Sequence, residues 1–272
     1  MRFTHFIQSK SYQFIDYLYA GLNMSVICCI DFTGSNGIPR SPDSLHYLNP
    51  SGNPNQYQKA ILSVCNILLD YDYDKMIHNY GFGAKVLYPG YNQSVSHFFP
   101  LNGDPNNPFG AGVEGVFYNY NQALQNVQFA GPTYFKELIS NSIALTKQNM
   151  NADPLNYTTL VILTDGAIHD MNQTIDHIVE ASELPMSIII VGIGNADFSM
   201  MEELDGDNKG LKSGSGKNAK RDIVQFVSFN KFCNQPMEVF ASHVLRELPT
   251  QVVEYFRIHD ITPPENAFKP MD

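Results

Sequence analysis

Three almost uninterrupted apolar runs constrain this chain more than any other feature. Residues 26–30 read VICCI, residues 160–163 read LVIL and residues 186–191 read MSIIIV. A strand with one wet face alternates apolar and polar residues. A run without alternation belongs to a strand covered on both faces, as parallel strands are in α/β folds. Between the runs the period changes. Tyr57, Ala60, Ile61, Val64, Cys65 and Leu68 recur at helical spacing, and so do Ile175, Ile178, Val179 and Ser182. Further helices are predicted over 113–127 and about 134–148. Met237, Phe240, Ala241, Val244, Leu245 and Leu248 mark a final helix, interrupted or kinked by Pro249. A short strand is expected at 223–227 and an edge region over 77–82 and roughly 94–99. The Asn/Pro/Gly-rich stretch 102–112 and the polar, Gly-rich stretch 205–220 read as loops. The alternation predicts an α/β fold, a doubly wound, mostly parallel central sheet with helices on both faces.

The chain has 272 residues, enough for one large domain or two small ones. No stretch reads as an interdomain linker and no repeat occurs, so one domain is expected over 23–262. Residues 1–22 form an amphipathic lead-in (Tyr12, Phe14, Ile15, Tyr17, Leu18) packing on it, and 263–272 a frayed tail. Seventeen Lys and Arg face 27 Asp and Glu, a net charge of −10, which speaks against nucleic acid as a partner. No apolar run approaches the roughly 18–20 residues of a membrane span. The first thirty residues lack the basic start, apolar stretch and cleavage site of a secretory signal. The four cysteines, Cys28, Cys29, Cys65 and Cys233, include an adjacent pair and no CxxC, which fits a reduced, cytoplasmic protein better than a disulfide framework. Four Asn-x-Ser/Thr sequons, at Asn23, Asn92, Asn156 and Asn172, then read as chance matches.

The chemistry gathers where the apolar runs stop. Asp31-Phe32-Thr33-Gly34-Ser35 sets a carboxylate and two hydroxyls at alternate positions beyond the first run. Ligands of α/β sheets bind at the carboxyl ends of parallel strands. Alternation lets Asp31, Thr33 and Ser35 converge while Phe32 turns inward. Asp165 follows the second run in Leu163-Thr164-Asp165-Gly166, and Gly131-Pro132-Thr133 offers a further hydroxyl on a stiff loop at a helix start. Asp31, Thr33, Ser35, Thr133 and Asp165 form an all-oxygen set, suited to a hard cation, Mg²⁺ or Mn²⁺, with Ca²⁺ also admissible. Mostly neutral ligands leave the metal Lewis-acidic and open to a carboxylate from another molecule. Taken singly, each piece has a plainer reading: turns for Asp31 and Asp165, a helix N-cap for Thr133. Their joint occurrence at strand ends and a helix start favours the metal.

Other motifs are weaker. Asp205-Gly206-Asp207-Asn208-Lys209-Gly210 starts like an EF-hand loop, but position five is Lys209 and position twelve Gly216, so it reads as a solvated acidic loop. Gly214-Ser215-Gly216-Lys217 lacks phosphate-loop spacing, and Asn218 replaces the hydroxyl. The eight histidines are scattered and read as surface or structural residues. Phe117, Tyr118 and Tyr120 read as core and helix surface.

The DxTxS segment with Thr133 and Asp165 resembles the metal-ion-dependent adhesion site of von Willebrand factor A domains. The wider text resembles one branch, the copines. The carrying segments are Phe14-Ile15-Asp16-Tyr17, DFTGSNGIPRSPDSLHYLNP from Asp31, YGFGAKV from Tyr80, GPTYF from Gly131, LPMSIIIVGIGNADFSMMEELDGD from Leu184 and RDIVQFVSF from Arg221. The similarity runs over about residues 12–262. It implies a doubly wound sheet with a metal site on its upper edge and no enzymatic turnover. It implies an intracellular protein-binding, scaffolding role, in which an acidic side chain of the partner completes the metal shell. Asp31, Thr33, Ser35, Thr133 and Asp165 are the matching positions; in the family pattern the hydroxyls tend to touch the metal and the Asp residues often act through water. Ile38 stands where related domains often carry Asp, which touches the loop surface and not the ligand set. Copines usually begin with two calcium-dependent phospholipid-binding domains. These 272 residues hold neither, so membrane docking is expected only of a longer form. A RING ubiquitin ligase module, carried by a plant relative, would need more cysteines than four. Two other functions remain in view: a Mg²⁺-dependent phosphotransfer enzyme with Asp31 as nucleophile, and a structural domain with an empty metal site.

Overall fold

The computed structural model describes residues 11–206, 210–232 and 235–264. Asp207, Cys233, the first ten residues of the lead-in and most of the tail lie outside the described residues.

The apolar runs become the centre of a sheet. β1 (Asn23–Asp31) lies between β2 (Met76–Phe82) and β8 (Asn156–Thr164), parallel to both. β9 (Met186–Gly192) pairs with β8, and β10 (Val224–Ser228) with β9, again parallel. The order is β10-β9-β8-β1-β2-β5, and β6 also pairs with β2. β5 (Phe99–Pro100) and β6 (Phe109–Ala111) run antiparallel to β2. β3 (Ala84–Val86), β4 (Val95–Ser96) and β7 (Val127–Phe129) make a small separate sheet. Every residue of β8 and β9 is buried, which is why those runs show no alternation.

Alternate residues feed two cores. Val26, Cys28, Ile30, Val161, Leu163, Ile189 and Val191 pack with α2 (Gln56–Leu68), α3 (Gly112–Asn126), α7 (Met237–Val244) and α8 (Leu248–Ile258). Ile27, Cys29, Leu160, Ile162, Ile188 and Ile190 pack with α4 (Lys136–Ala152), α5 (Met171–Ala181) and α6 (Ser199–Asp205). Each of these buried isoleucines and leucines contributes about 1.5–3 kcal/mol by leaving water. The doubly wound, mostly parallel sheet is therefore the architecture. The described part of the lead-in forms α1 (Phe14–Tyr19), whose Tyr17 ring stacks on Phe256 of α8 at 4.7 Å between centroids.

Three local expectations are corrected. β2 is an interior strand, and the edge is made by β5 and β6; β6 interrupts the expected loop 102–112. α6 lies just before the polar stretch and was not expected; only Met201 and Leu204 of its seven residues are buried, too short a pattern to read. The expected helix 113–127 ends at Asn126, and Val127 starts β7. The final helix is interrupted, one of the two outcomes expected near Pro249: α7 ends at Val244 and α8 begins at Leu248. Pro249 sits in the first turn of α8, where its missing N–H has no partner to lose.

Candidate functional site

Strand register brings the site together. Ile30 pairs with Leu163, so Asp31 ends β1 level with Thr164, one residue before Asp165. Asp31 is fully buried. Its Oδ1 accepts from the Thr33 backbone N–H (2.8 Å) and hydroxyl (2.6 Å), and its Oδ2 accepts from the Thr164 hydroxyl (2.7 Å). Thr33 Oγ1 lies 3.0 Å from Ser35 Oγ, which donates to Asp165 Oδ1 at 3.0 Å. Asp31, Thr33, Ser35 and Asp165 thus form one continuous line of oxygen contacts. Gly34 lets the loop turn against the strand end that follows β7: its N–H donates to the Ala130 carbonyl at 2.6 Å.

Thr133 is held beside this line, not within it. Its own hydrogen bonds are made by its backbone: the N–H donates to His169 Nδ1 (3.3 Å) and the carbonyl accepts from the His169 N–H (2.9 Å). This staples the Thr133 loop to the loop that carries Asp165. Thr133 does not cap α4. Asp170 does, accepting from the N–H groups of Phe135 (3.0 Å) and Lys136 (2.9 Å). The plainer reading of Thr133 as an N-cap therefore fails.

Several supporting residues were not singled out from the sequence. Thr164 is one. Asn36 donates to the Thr33 carbonyl (3.3 Å), and its Oδ1 accepts from the Tyr57 hydroxyl at 2.7 Å. His46 is fully buried, stacks on Tyr57 (3.9 Å between centroids) and bonds the Asp31 carbonyl through Nε2 at 2.8 Å. A carbonyl only accepts, so Nε2 carries the proton, and Nδ1 accepts from the Tyr120 hydroxyl at 2.7 Å. Burial holds His46 neutral, with its pKa pushed down to about 3. It is a structural histidine, as expected of the scattered eight. The Gly214–Lys217 stretch is likewise structural: the Gly214 N–H donates to Asp176, and Lys217 pairs with Glu183 at 2.8 Å.

The electrostatics are those of two carboxylates sharing one buried spot. Burial raises the Asp31 pKa. Burial and the neighbouring Asp31 charge push Asp165 up to about 7. The line Asp31–Thr33–Ser35–Asp165 has three oxygen contacts but only two hydroxyl protons. With both carboxylates ionised, the hydroxyl protons point at carboxylates and hydroxyl lone pairs face one another. A shared proton resolves that crowding, and so does a cation. The donor set fits a hard divalent ion: oxygen only, with the hydroxyl protons directed away onto Asp31 and Asp165. Among the described residues, no three His, Cys, Asp or Glu side chains form a group able to hold a metal, so a metal here depends on the hydroxyls.

Comparison with known proteins adds three findings. The family model described as Copine matches residues 44–264. Protein BONZAI 2 of Arabidopsis thaliana is 44% identical over 259 residues, covering 95% of this chain and 43% of that protein. Copine-A of Dictyostelium discoideum is 44% identical over 254 residues, covering 93% of this chain and 41% of that protein. The chain thus spans less than half the length of the curated relatives it matches. Among solved structures, manganese-loaded Plasmodium vivax TRAP protein aligns with a TM-score of 0.48 at 10% identity, over 77% of this chain and 70% of that one. Proximal thread matrix protein 1 from the mussel byssus, with a zinc-occupied MIDAS motif, aligns at 0.40 and 14% identity, over 86% and 48%.

Proposed function

This chain belongs to the copine family, and from that premise we propose that it is a divalent-metal-dependent protein-interaction module, with residues 23–262 as the interaction unit. The observation that carries the reading is the hydrogen-bonded line Asp31–Thr33–Ser35–Asp165 at the carboxyl edge of a parallel sheet, with Thr133 stapled beside it. Mg²⁺ is the favoured ion, with Mn²⁺ and Ca²⁺ as alternatives of the same oxygen preference. The ion supplies a Lewis-acidic point that an acidic side chain of a partner protein completes. The chain's own residues do the rest. Thr33, Ser35 and Thr133 present hydroxyl oxygens; Asp31 and Asp165 take hydroxyl protons and balance charge; Thr164, Asn36 and His46 hold that arrangement in place.

We place the protein inside the cell, because Cys28, Cys29 and Cys65 are buried free thiols. No helix among the described residues is long and apolar enough to cross a membrane. Membrane association would come from lipid-binding segments of a longer form. The alternative of phosphotransfer with Asp31 as nucleophile is disfavoured by its geometry. Both its oxygens accept hydrogen bonds, and the side chain is fully buried. We assign no catalytic residue.

Isothermal calorimetry with Mg²⁺ tests the reading. The parent chain should bind, and Asp31→Ala and the milder Ser35→Ala should not, with unchanged far-UV circular dichroism. Mg²⁺ binding by both variants at parental affinity would sink the assignment. A pull-down with and without chelator then reads whether protein capture follows the metal.

A further inference from the structure

The opposite edge of the sheet carries a second concave surface. β1 runs from Asn23 to Asp31, so its two ends lie about 26 Å apart. Around its start, α1, the turn after it and the segment 70–75 enclose a groove of about 740 Å³. That volume falls within the range of ligand and side-chain pockets. Ile15, Leu18 and Leu22 give it apolar walls. Two tyrosines stand on its rim, Tyr19 at 69% and Tyr73 at 91% exposure.

Its charged lining is mostly negative: Asp70, Asp72 and Asp153. The one lysine on the lining, Lys75, donates its Nζ to the Leu69 carbonyl. Asp72 is the unusual member. It is only 3% exposed, and its Oδ2 has no hydrogen-bond partner. Burial and the neighbouring Asp74 push its carboxyl up to about 7. The Asp74 backbone N–H and the Lys75 charge offset this only in part; a carboxylate so buried is costly, and a further cation brought from outside relieves it. A bare metal ion does not suit. Among the described residues no group of three or more carboxylates, imidazoles or thiols converges closely enough to hold one. Carboxylates spread along apolar and aromatic walls suit a cation on a long apolar stem. Arginine has that shape, and its guanidinium also stacks on tyrosine faces.

We propose that this groove docks an arginine-bearing segment of a partner protein, with the guanidinium at Asp72 and the stem along Leu18 and Leu22. The site is separate from the Asp31 loop and independent of any metal there. The net charge of −10 draws such a segment toward the chain.

Fluorescence anisotropy tests this with the full chain and a labelled octapeptide, Gly-Ser-Leu-Arg-Leu-Arg-Gly-Ser, beside the same peptide with glutamine for arginine. The arginine peptide should bind, and should weaken several-fold between about 50 and about 300 mM salt. Asp72→Asn should weaken it at least about tenfold and Tyr73→Ala about threefold. The exposed Asp70→Asn serves if Asp72→Asn fails to fold. Asp31→Ala should bind the peptide like the parent, so failure of the metal site leaves this result readable. Equal binding of the glutamine peptide would overturn the proposal in favour of a purely apolar groove. Parental affinity in the Asp72, Asp70 and Tyr73 variants would overturn it in favour of diffuse attraction to the acidic surface.

Discussion

Ser35 and Asp165 lie 130 positions apart in sequence and meet at 3.0 Å, Oγ to Oδ1. The contact ties the loop after β1 to the loop after β8, so the two strand-end carboxylates answer to one another. On the metal-dependent function proposed above, a proton and a cation compete for this site.

That competition sets the first prediction. Asp165 has an ordinary value of 3.8 and is pushed up to about 7 by burial and by Asp31. Between those values the folded chain without metal holds a proton that the unfolded chain has lost. The stability contributed by this group is whole below about pH 4 and lost as pH rises through about 7. A divalent ion displaces that proton, so its apparent affinity should rise with pH and level off above about 7. Mg²⁺ should bind about tenfold or more weakly at pH 5.5 than at pH 7.5 by calorimetry. Equal affinity at both values would mean that Asp165 does not meet the ion.

A glycine outside the oxygen line tests how closely its geometry matters. Gly83 follows β2 with φ +77°, and a Cβ there would collide with the Thr33 methyl. Gly90 has φ +89° and open space around it. Alanine at either position carries a backbone cost of about 1–2 kcal/mol. Only Gly83→Ala should also displace Thr33, lowering Mg²⁺ affinity about tenfold beyond anything seen in Gly90→Ala. Matching affinities in the two variants would show that the Thr33 position is not critical.

The strand ends were legible because burial on both faces leaves an unmistakable apolar run, and the run stops where Asp31 and Asp165 begin. What surrounds them was not. The Thr164 hydroxyl reaches Asp31 only because β1 and β8 pair in one register, and no residue in either strand announces that register. His46 sits in a long loop, and its role depends on the Asp31 carbonyl and on rings from α2 and α3. Pro249 was readable as a break or a kink; the structure shows the break, with Pro249 in the first turn of the second helix. The groove near Asp72 joins α1 to a distant turn, so neither segment alone suggests it.

His46 supplies an acid-sensitive element under the site. Its ordinary value is 6.5, and burial pushes it down to about 3. A depressed folded value means that its stabilisation is whole above about 6.5 and lost as pH falls toward 3. At pH 4.5 the loss amounts to about 3 kcal/mol at about 1.4 kcal/mol per unit. The carboxylates of Asp31 and Asp165 act in the opposite sense, so the comparison must be with His46→Phe, which keeps the ring stack. Urea denaturation should show that variant weaker than the parent at pH 7, by about 1–3 kcal/mol. Between pH 7 and 4.5 it should lose distinctly less stability than the parent. Parallel pH profiles would place the acid sensitivity elsewhere.

Arg221 makes the clearest prediction about stability. Its guanidinium is buried and donates to the carbonyls of Ser182, Leu184, Met186 and Gln251 and to the Tyr157 hydroxyl. None of the five acceptors is a carboxylate, and the planar group lies over the rings of Tyr157 and Tyr255 at 6.0 and 5.2 Å. The residue therefore ties the end of α5, the start of β9 and helix α8 together through geometry more than through ion pairing. A lysine keeps the charge but offers three donors from one point, so several buried carbonyls lose their partners. Arg221→Lys should cost about 3 kcal/mol in urea denaturation, close to the cost of Arg221→Met. Mg²⁺ affinity of the folded fraction should stay at the parental value in both. If lysine restored most of the stability that methionine removes, charge rather than the fork of donors would be what holds α8 to the sheet.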